Sequence, residues 1–169
     1  MLSYNVRDLE QQAARVEGWL AADDSIWQAG DPLPSEPLHA TGRLSKAGTG
    51  RFYWQGRIEG ATQVSCRRCL VDVRADVAED VHLIFAESDS DEAEDPDVFR
   101  LPPRAAVVDL RPAIREQWLL SVPAFALCRE ECKGLCARCG ADLNAGPCEC
   151  PPATDGRWEA LRAVRRDAE

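Results

Sequence analysis

Eight cysteines in a chain of 169 residues constrain its fold more than any other feature. They stand at 66, 69, 128, 132, 136, 139, 148 and 150, and read as C-x2-C, then C-x3-C-x3-C-x2-C, then C-x-C. A C-x2-C turn brings two sulfurs towards one metal while neighbouring backbone amides point at the thiolates. Zinc prefers four such soft ligands in a tetrahedron, and closing a site from separated pairs offsets the entropy of ordering loops that have little core of their own. The opening MLSYNVRDLEQQ lacks a basic region followed by an apolar run, and no stretch approaches the roughly 20 apolar residues of a membrane helix. These features predict a cytoplasmic protein, in which lasting disulfides are disfavoured and thiols are free for metal.

Cys66, Cys69, Cys128, Cys132, Cys136, Cys139, Cys148 and Cys150 are therefore the predicted ligands of one or two zinc ions. Two groupings are open. One puts Cys66, Cys69, Cys128 and Cys132 on one ion and the remaining four on a second. The other makes a local site of Cys128, Cys132, Cys136 and Cys139, and leaves Cys66 and Cys69 to Cys148 and Cys150. The first is favoured because two sulfurs per chain segment is the commoner zinc-ribbon arrangement. A thiol redox switch competes with both, since Arg67, Arg68, Arg129, Lys133 and Arg138 lie beside the cysteines and would lower thiol pKa values. The same five cations are candidates for salt-dependent contacts to RNA phosphates.

The rest of the chain reads as an α+β domain. Leu9, Ala13, Val16 and Leu20 recur at helical steps, predicting a helix over Val6–Leu20 with Asn5 or Asp8 as its cap. Asp31–Pro37 is a proline-rich loop. Alternation at Leu38–Leu44 and Phe52–Ile58 around the AGTG turn predicts a hairpin. A period of two continues from Val71 to Phe85, with a bend expected near Glu79. The expected sheet is twisted and antiparallel, with room to close partly as a barrel. Val98–Leu101 reads as a short strand. Asp109 and Pro112 open a covering helix that carries Leu110, Ile114 and Trp118 and stops at Pro123. A last amphipathic helix carries Trp158, Leu161 and Val164. The expected division is a core over residues 1–127 and a cysteine-rich zinc-binding segment over residues 128–169.

Charge is unevenly spread. Seven of the 29 acidic residues fall in Glu87–Asp97, which holds no base; the other 22 stand against 20 bases, a formal −2. The segment is too acidic and too poor in apolar groups to pack, which predicts a mobile loop. It also reads as a docking site for a basic partner. A near-neutral body gives no general basic field for nucleic acid. For catalysis the sequence offers little. His39 and His82 lie in strand-like segments. No phosphate loop, HExxH or Ser-His-Asp pattern is present. Four thiolates would leave no open position on a zinc ion. These readings predict a non-enzymatic protein with no small-molecule substrate.

CRRCLVDV at Cys66–Val73 is similar to the C-x-R-C-L signature of the YceD-like family, the large ribosomal RNA subunit accumulation proteins. Asp109–Cys150 resembles that family's second half: a capped helix leading to L-x-x-P, then C-x3-C-x-G-L-C-x2-C-G-x-x-L-N and a closing C-x-C. The helix opening DGRWEAL also fits, so the likeness runs from about Gly56 to Val164; the first forty residues resemble the family in outline only. The resemblance implies a role in the processing or accumulation of large-subunit (23S) ribosomal RNA, in the bacterial cytoplasm or in plastids, with ribosomal RNA or a large-subunit ribosomal protein as partner. It implies no catalytic residue. Some members keep the first signature and lack the C-terminal cysteines, which makes Cys136–Cys150 a separable second site. The redox or metal-responsive alternative would bind a basic ribosomal protein.

Overall fold

The computed structural model describes residues 1–88 and 97–151. The core of the acidic segment and the predicted last helix lie outside the described residues. The elements are β1 (Ser3–Asn5), α1 (Val6–Gln11), β2 (Ala14–Leu20), β3 (Leu38–Gly48), β4 (Arg51–Ser65), β5 (Asp72–Glu87), β6 (Val98–Leu101), β7 (Val107–Asp109) and α2 (Arg111–Ser121). Strands β2 to β6 form one sheet in the order β2-β3-β4-β5-β6, and β1 pairs with β7 in a separate ribbon.

The long hairpin β3–β4–β5 is the frame of the molecule. Alternate residues Leu38, Ala40 and Leu44, then Phe52, Trp54 and Ile58, then Val77, Val81, Leu83 and Phe85 turn inward and are buried. Helix α2 covers that face with Ala113, Ile114 and Trp118, which are fully buried and join the same cluster. Gly60 leaves the room: a Cβ there would run into Leu38 and stand 3.3 Å from the Trp118 ring. The loop between β2 and β3 is laced onto α2. Arg115 grips Asp31 through two hydrogen bonds of 2.7 and 2.8 Å, and the Trp118 indole N–H donates to the Pro32 carbonyl at 2.6 Å. Thr62 Oγ1 donates to the Leu33 carbonyl from the other side at 2.7 Å.

Four expectations are corrected. The helix predicted over Val6–Leu20 ends at Gln11, and Ala14–Leu20 is an edge strand paired with β3. Val16, Gly18 and Leu20 are spaced by two, so steps of four satisfied a strand as readily as a helix, and sheet pairing decided between them. The sheet is mixed, because β6 runs parallel to β5. It is an open five-stranded sheet with β2 and β6 at its edges, not a barrel. No break occurs near Glu79: Asp72–Ala86 pairs with Arg51–Ser65 in a single register, which holds β5 as one strand.

Both cap expectations bear on real contacts. Asn5 caps α1 by accepting from the Arg7 amide at 2.9 Å. Asp109 accepts from the Arg111 amide at 3.0 Å, although Leu110 is the residue in the cap position of α2. The helix ends at Ser121, and Val122, which precedes Pro123, is extended. Among the described residues, no helix is long and apolar enough to cross a membrane.

Candidate metal centre

The β4–β5 hairpin closes through Cys66–Val71, and this knuckle-shaped turn is built by its own backbone. The Cys66 amide donates to the Val71 carbonyl at 2.8 Å, and the Leu70 amide donates back to the Cys66 carbonyl at 2.9 Å. The same two bonds recur at Cys136: its amide donates to Ala141 at 2.8 Å, and the Gly140 amide donates to Cys136 at 2.9 Å. Residue Leu70 has φ 62° and its counterpart Gly140 has φ 72°. Glycine enters that left-handed region freely, whereas a leucine is strained there by about 1–2 kcal/mol.

The sulfurs fall into two sets of four: Cys66, Cys69, Cys128 and Cys132, and Cys136, Cys139, Cys148 and Cys150. Within each set all ligand atoms lie within 4.8 Å of one another. This is the first of the two groupings allowed by the spacing. In the first set, Cys66 and Cys132 sulfurs are 3.9 Å apart, and Cys69 and Cys128 sulfurs 3.6 Å. A regular tetrahedron with zinc–sulfur bonds of about 2.3 Å has edges of about 3.8 Å. A disulfide needs about 2.05 Å, and all eight cysteines are free. The donor set and its spacing thus fit a tetrathiolate ion in preference to oxidised pairs.

Local dipoles prepare the sulfurs for a cation. The Cys69 amide lowers the Cys66 thiol to about 6 against the opposing effect of burial, with further help from the amides of Cys128 and Arg68. The amides of Cys139 and Arg138 lower Cys136 to about 6 in the same way. Burial, reinforced by hydrogen bonds with neighbouring thiols, pushes Cys128 up to about 12. The hydrogen bond with Cys139, followed by burial, does the same for Cys150. Within each set, backbone amides thus favour the thiolate at one cysteine, while burial and neighbouring thiols favour the protonated form at another.

The five cations predicted for nucleic acid have different surroundings. Arg68 is spent on the protein itself: its guanidinium donates to the carbonyls of Cys132 at 2.8 Å and Glu130 at 3.2 Å, and its own carbonyl accepts from the Leu135 amide at 3.0 Å. Those bonds couple the two knuckles. Arg67 lies over the Phe125 ring at 4.7 Å from the centroid. Arg129, Lys133 and Arg138 are exposed.

Sequence reasoning passed over Asn144. Its side-chain N–H reaches the Cys132 sulfur at 3.6 Å, while its carbonyl oxygen accepts from the Lys133 amide at 2.8 Å. The signal was available in the G-x-x-L-N run after Cys139, where an asparagine follows a ligand turn. His39 and His82 belong to the outer sheet face. His39 stacks on Trp19 at 4.1 Å and bonds Glu17, and His82 bonds the Tyr53 hydroxyl at 2.7 Å.

The family model for the large ribosomal RNA subunit accumulation protein YceD matches residues 54–165, which contain all eight cysteines. The chain belongs to the YceD family. An uncharacterized protein from Mycobacterium tuberculosis is 32% identical over 109 residues, covering 63% of this chain and 52% of that protein. Its counterpart in Mycobacterium bovis aligns to the same extent. The chloroplastic large ribosomal RNA subunit accumulation protein YCED homolog 1 of Arabidopsis thaliana is 37% identical over 54 residues, covering 32% of this chain and 17% of the plant protein. The chain thus spans about half the length of the mycobacterial relatives. No solved structure matches it.

Proposed function

We propose that the chain is a non-enzymatic, zinc-binding factor of the cytoplasm that supports the processing or accumulation of large-subunit ribosomal RNA. The observation that carries this reading is the pair of four-sulfur sets inside a YceD match. Four thiolates per ion would fill each coordination shell, leaving no position for a reacting water, so the metal's contribution would be structural. Cys66, Cys69, Cys128 and Cys132 would hold the β4–β5 turn against the segment after α2. Cys136, Cys139, Cys148 and Cys150 would fold the segment beyond it. The partner would be ribosomal RNA or a protein of the assembling large subunit.

Elemental analysis of purified protein tests the metal, with two zinc ions per chain expected. Large-subunit RNA levels test the role: cells lacking the protein should regain them with the wild-type chain and not with a Cys66→Ser chain. Equal RNA levels with and without the protein would reject the role. For the RNA-binding form of the reading, Arg129, Lys133 and Arg138 are the exposed cations to replace. Replacing all three with alanine should flatten the salt dependence of RNA affinity, and an unchanged slope would remove RNA phosphates as their target.

A further inference from the structure

The two knuckles, CRRCLV and CARCGA, close in the same way and differ at three positions, one of which is the left-handed one. Both close with the same pair of hydrogen bonds, and both place the residue after the second cysteine in the left-handed region. At 140 that residue is glycine, which the geometry favours. At 70 it is leucine, and the leucine is 64% exposed, so most of its surface gains nothing from burial in this fold. A strained backbone holding an apolar side chain in water points to a use outside the chain's own packing. Leu70 is not isolated. Val71 beside it is 52% exposed and Phe125 is 71% exposed. The Phe125 segment is fastened to the same turn by the bond from the Arg67 amide to the Ala126 carbonyl at 2.9 Å.

We propose that Leu70, with Val71 next to it and Phe125 on the segment fastened to the same turn, is the anchor of a protein-docking surface, and that its partner offers an apolar pocket with a carboxylate on the rim. This rests on the proposed role in large-subunit production and names the class of partner. Protein is favoured over RNA by the chemistry of the surface. Leu70 and Val71 present only aliphatic groups, with no donor for a phosphate and no ring for a base. The Phe125 ring already has Arg67 over one face, where a base would otherwise stack, and Arg68 donates to two carbonyls. Arg67, beside the apolar side chains, supplies the charge that an acidic rim would meet. The tetrathiol site beneath would keep the anchor rigid, so little ordering entropy would be lost on docking.

Leu70→Gly separates the roles, because Gly140 demonstrates that the turn accepts glycine. The full-length, metal-loaded variant is expected to keep its zinc and to melt at the same temperature or higher. A photo-crosslinker placed at Val71 in cells is expected to yield one protein adduct, identified by mass spectrometry with its contact peptide in an apolar pocket. In the Leu70→Gly background the yield should drop about tenfold, as for loss of a buried anchor. Adducts to RNA, to a second copy or to the chain's own residues would overturn the proposal. So would an adduct undiminished by Leu70→Gly, or a variant that melts lower or loses zinc. The adduct is read independently of ribosomal RNA levels, so failure of the proposed role and failure of this surface are told apart.

Discussion

At the level of single residues, the cysteines divide by how far their partners lie along the chain. Cys66 is fully buried and meets a sulfur 66 residues away, whereas Cys139 is exposed and belongs to a set spanning only residues 136–150. Cys66→Ser should therefore remove one zinc ion and free the segment after α2 from the sheet. Cys139→Ser should remove one ion and leave that attachment in place. Metal stoichiometry together with amide exchange at Cys66–Val71 distinguishes the two, with exchange quickened only in the first variant. Asp31 gives a prediction in pH. Its hydrogen bonds from Arg115, then from the Gln28 amide, hold its carboxyl below the ordinary value of 3.8. A depressed native value stabilises the fold above the unfolded value, and that share is lost as pH falls through the native one. Asp31→Asn should thus lower the melting temperature at pH 7, and the gap to wild type should narrow as pH falls below the ordinary carboxylate value of 3.8.

The elements show where sequence pattern was sufficient and where it was not. The β3–β4–β5 hairpin was legible because Leu38–Leu44, Phe52–Ile58 and Val71–Phe85 each alternate, and alternation is read directly as a buried face. The covering helix was legible because Leu110, Ile114 and Trp118 recur at four while Pro112 and Pro123 mark its ends. Strand β2 was not, since Val16 and Leu20 are four apart and the choice between helix and strand is made by pairing with β3, a contact between distant residues. The parallel run of β6 was hidden for the same reason. The ligand grouping followed from two sulfurs per segment. The couplings between knuckles did not, because the Arg68 bonds run to backbone carbonyls, which no side-chain pattern announces. At this scale α2 offers a clear test. Trp118 is fully buried against Leu38 and Gly60 and also anchors the β2–β3 loop through Pro32. Trp118→Ala should cost about 3–5 kcal/mol in denaturant unfolding, because a large cavity and an unpaired carbonyl are left together. Gly60→Ala should also destabilise, by overpacking the same contact.

For the molecule as a whole, the apolar interior and the sulfur clusters are distinct sources of order. The buried core cluster runs from Leu2 to Trp118 and contains no cysteine. Chelation should therefore leave the sheet's circular dichroism nearly intact while amide protection is lost across residues 126–151; loss of the whole sheet signal on chelation would mean that the two are a single cooperative unit. The clusters also differ in when they can exist. A chain is made from its N-terminus, so Cys66 and Cys69 leave the ribosome roughly sixty residues before the thiols that complete their set. During that interval the hairpin tip carries two sulfurs with no companions, open to any other soft cation or thiol in the cell. The second cluster has almost no such interval. On the proposed zinc reading, a shortage of the metal would be felt first in newly made chains, before finished ones.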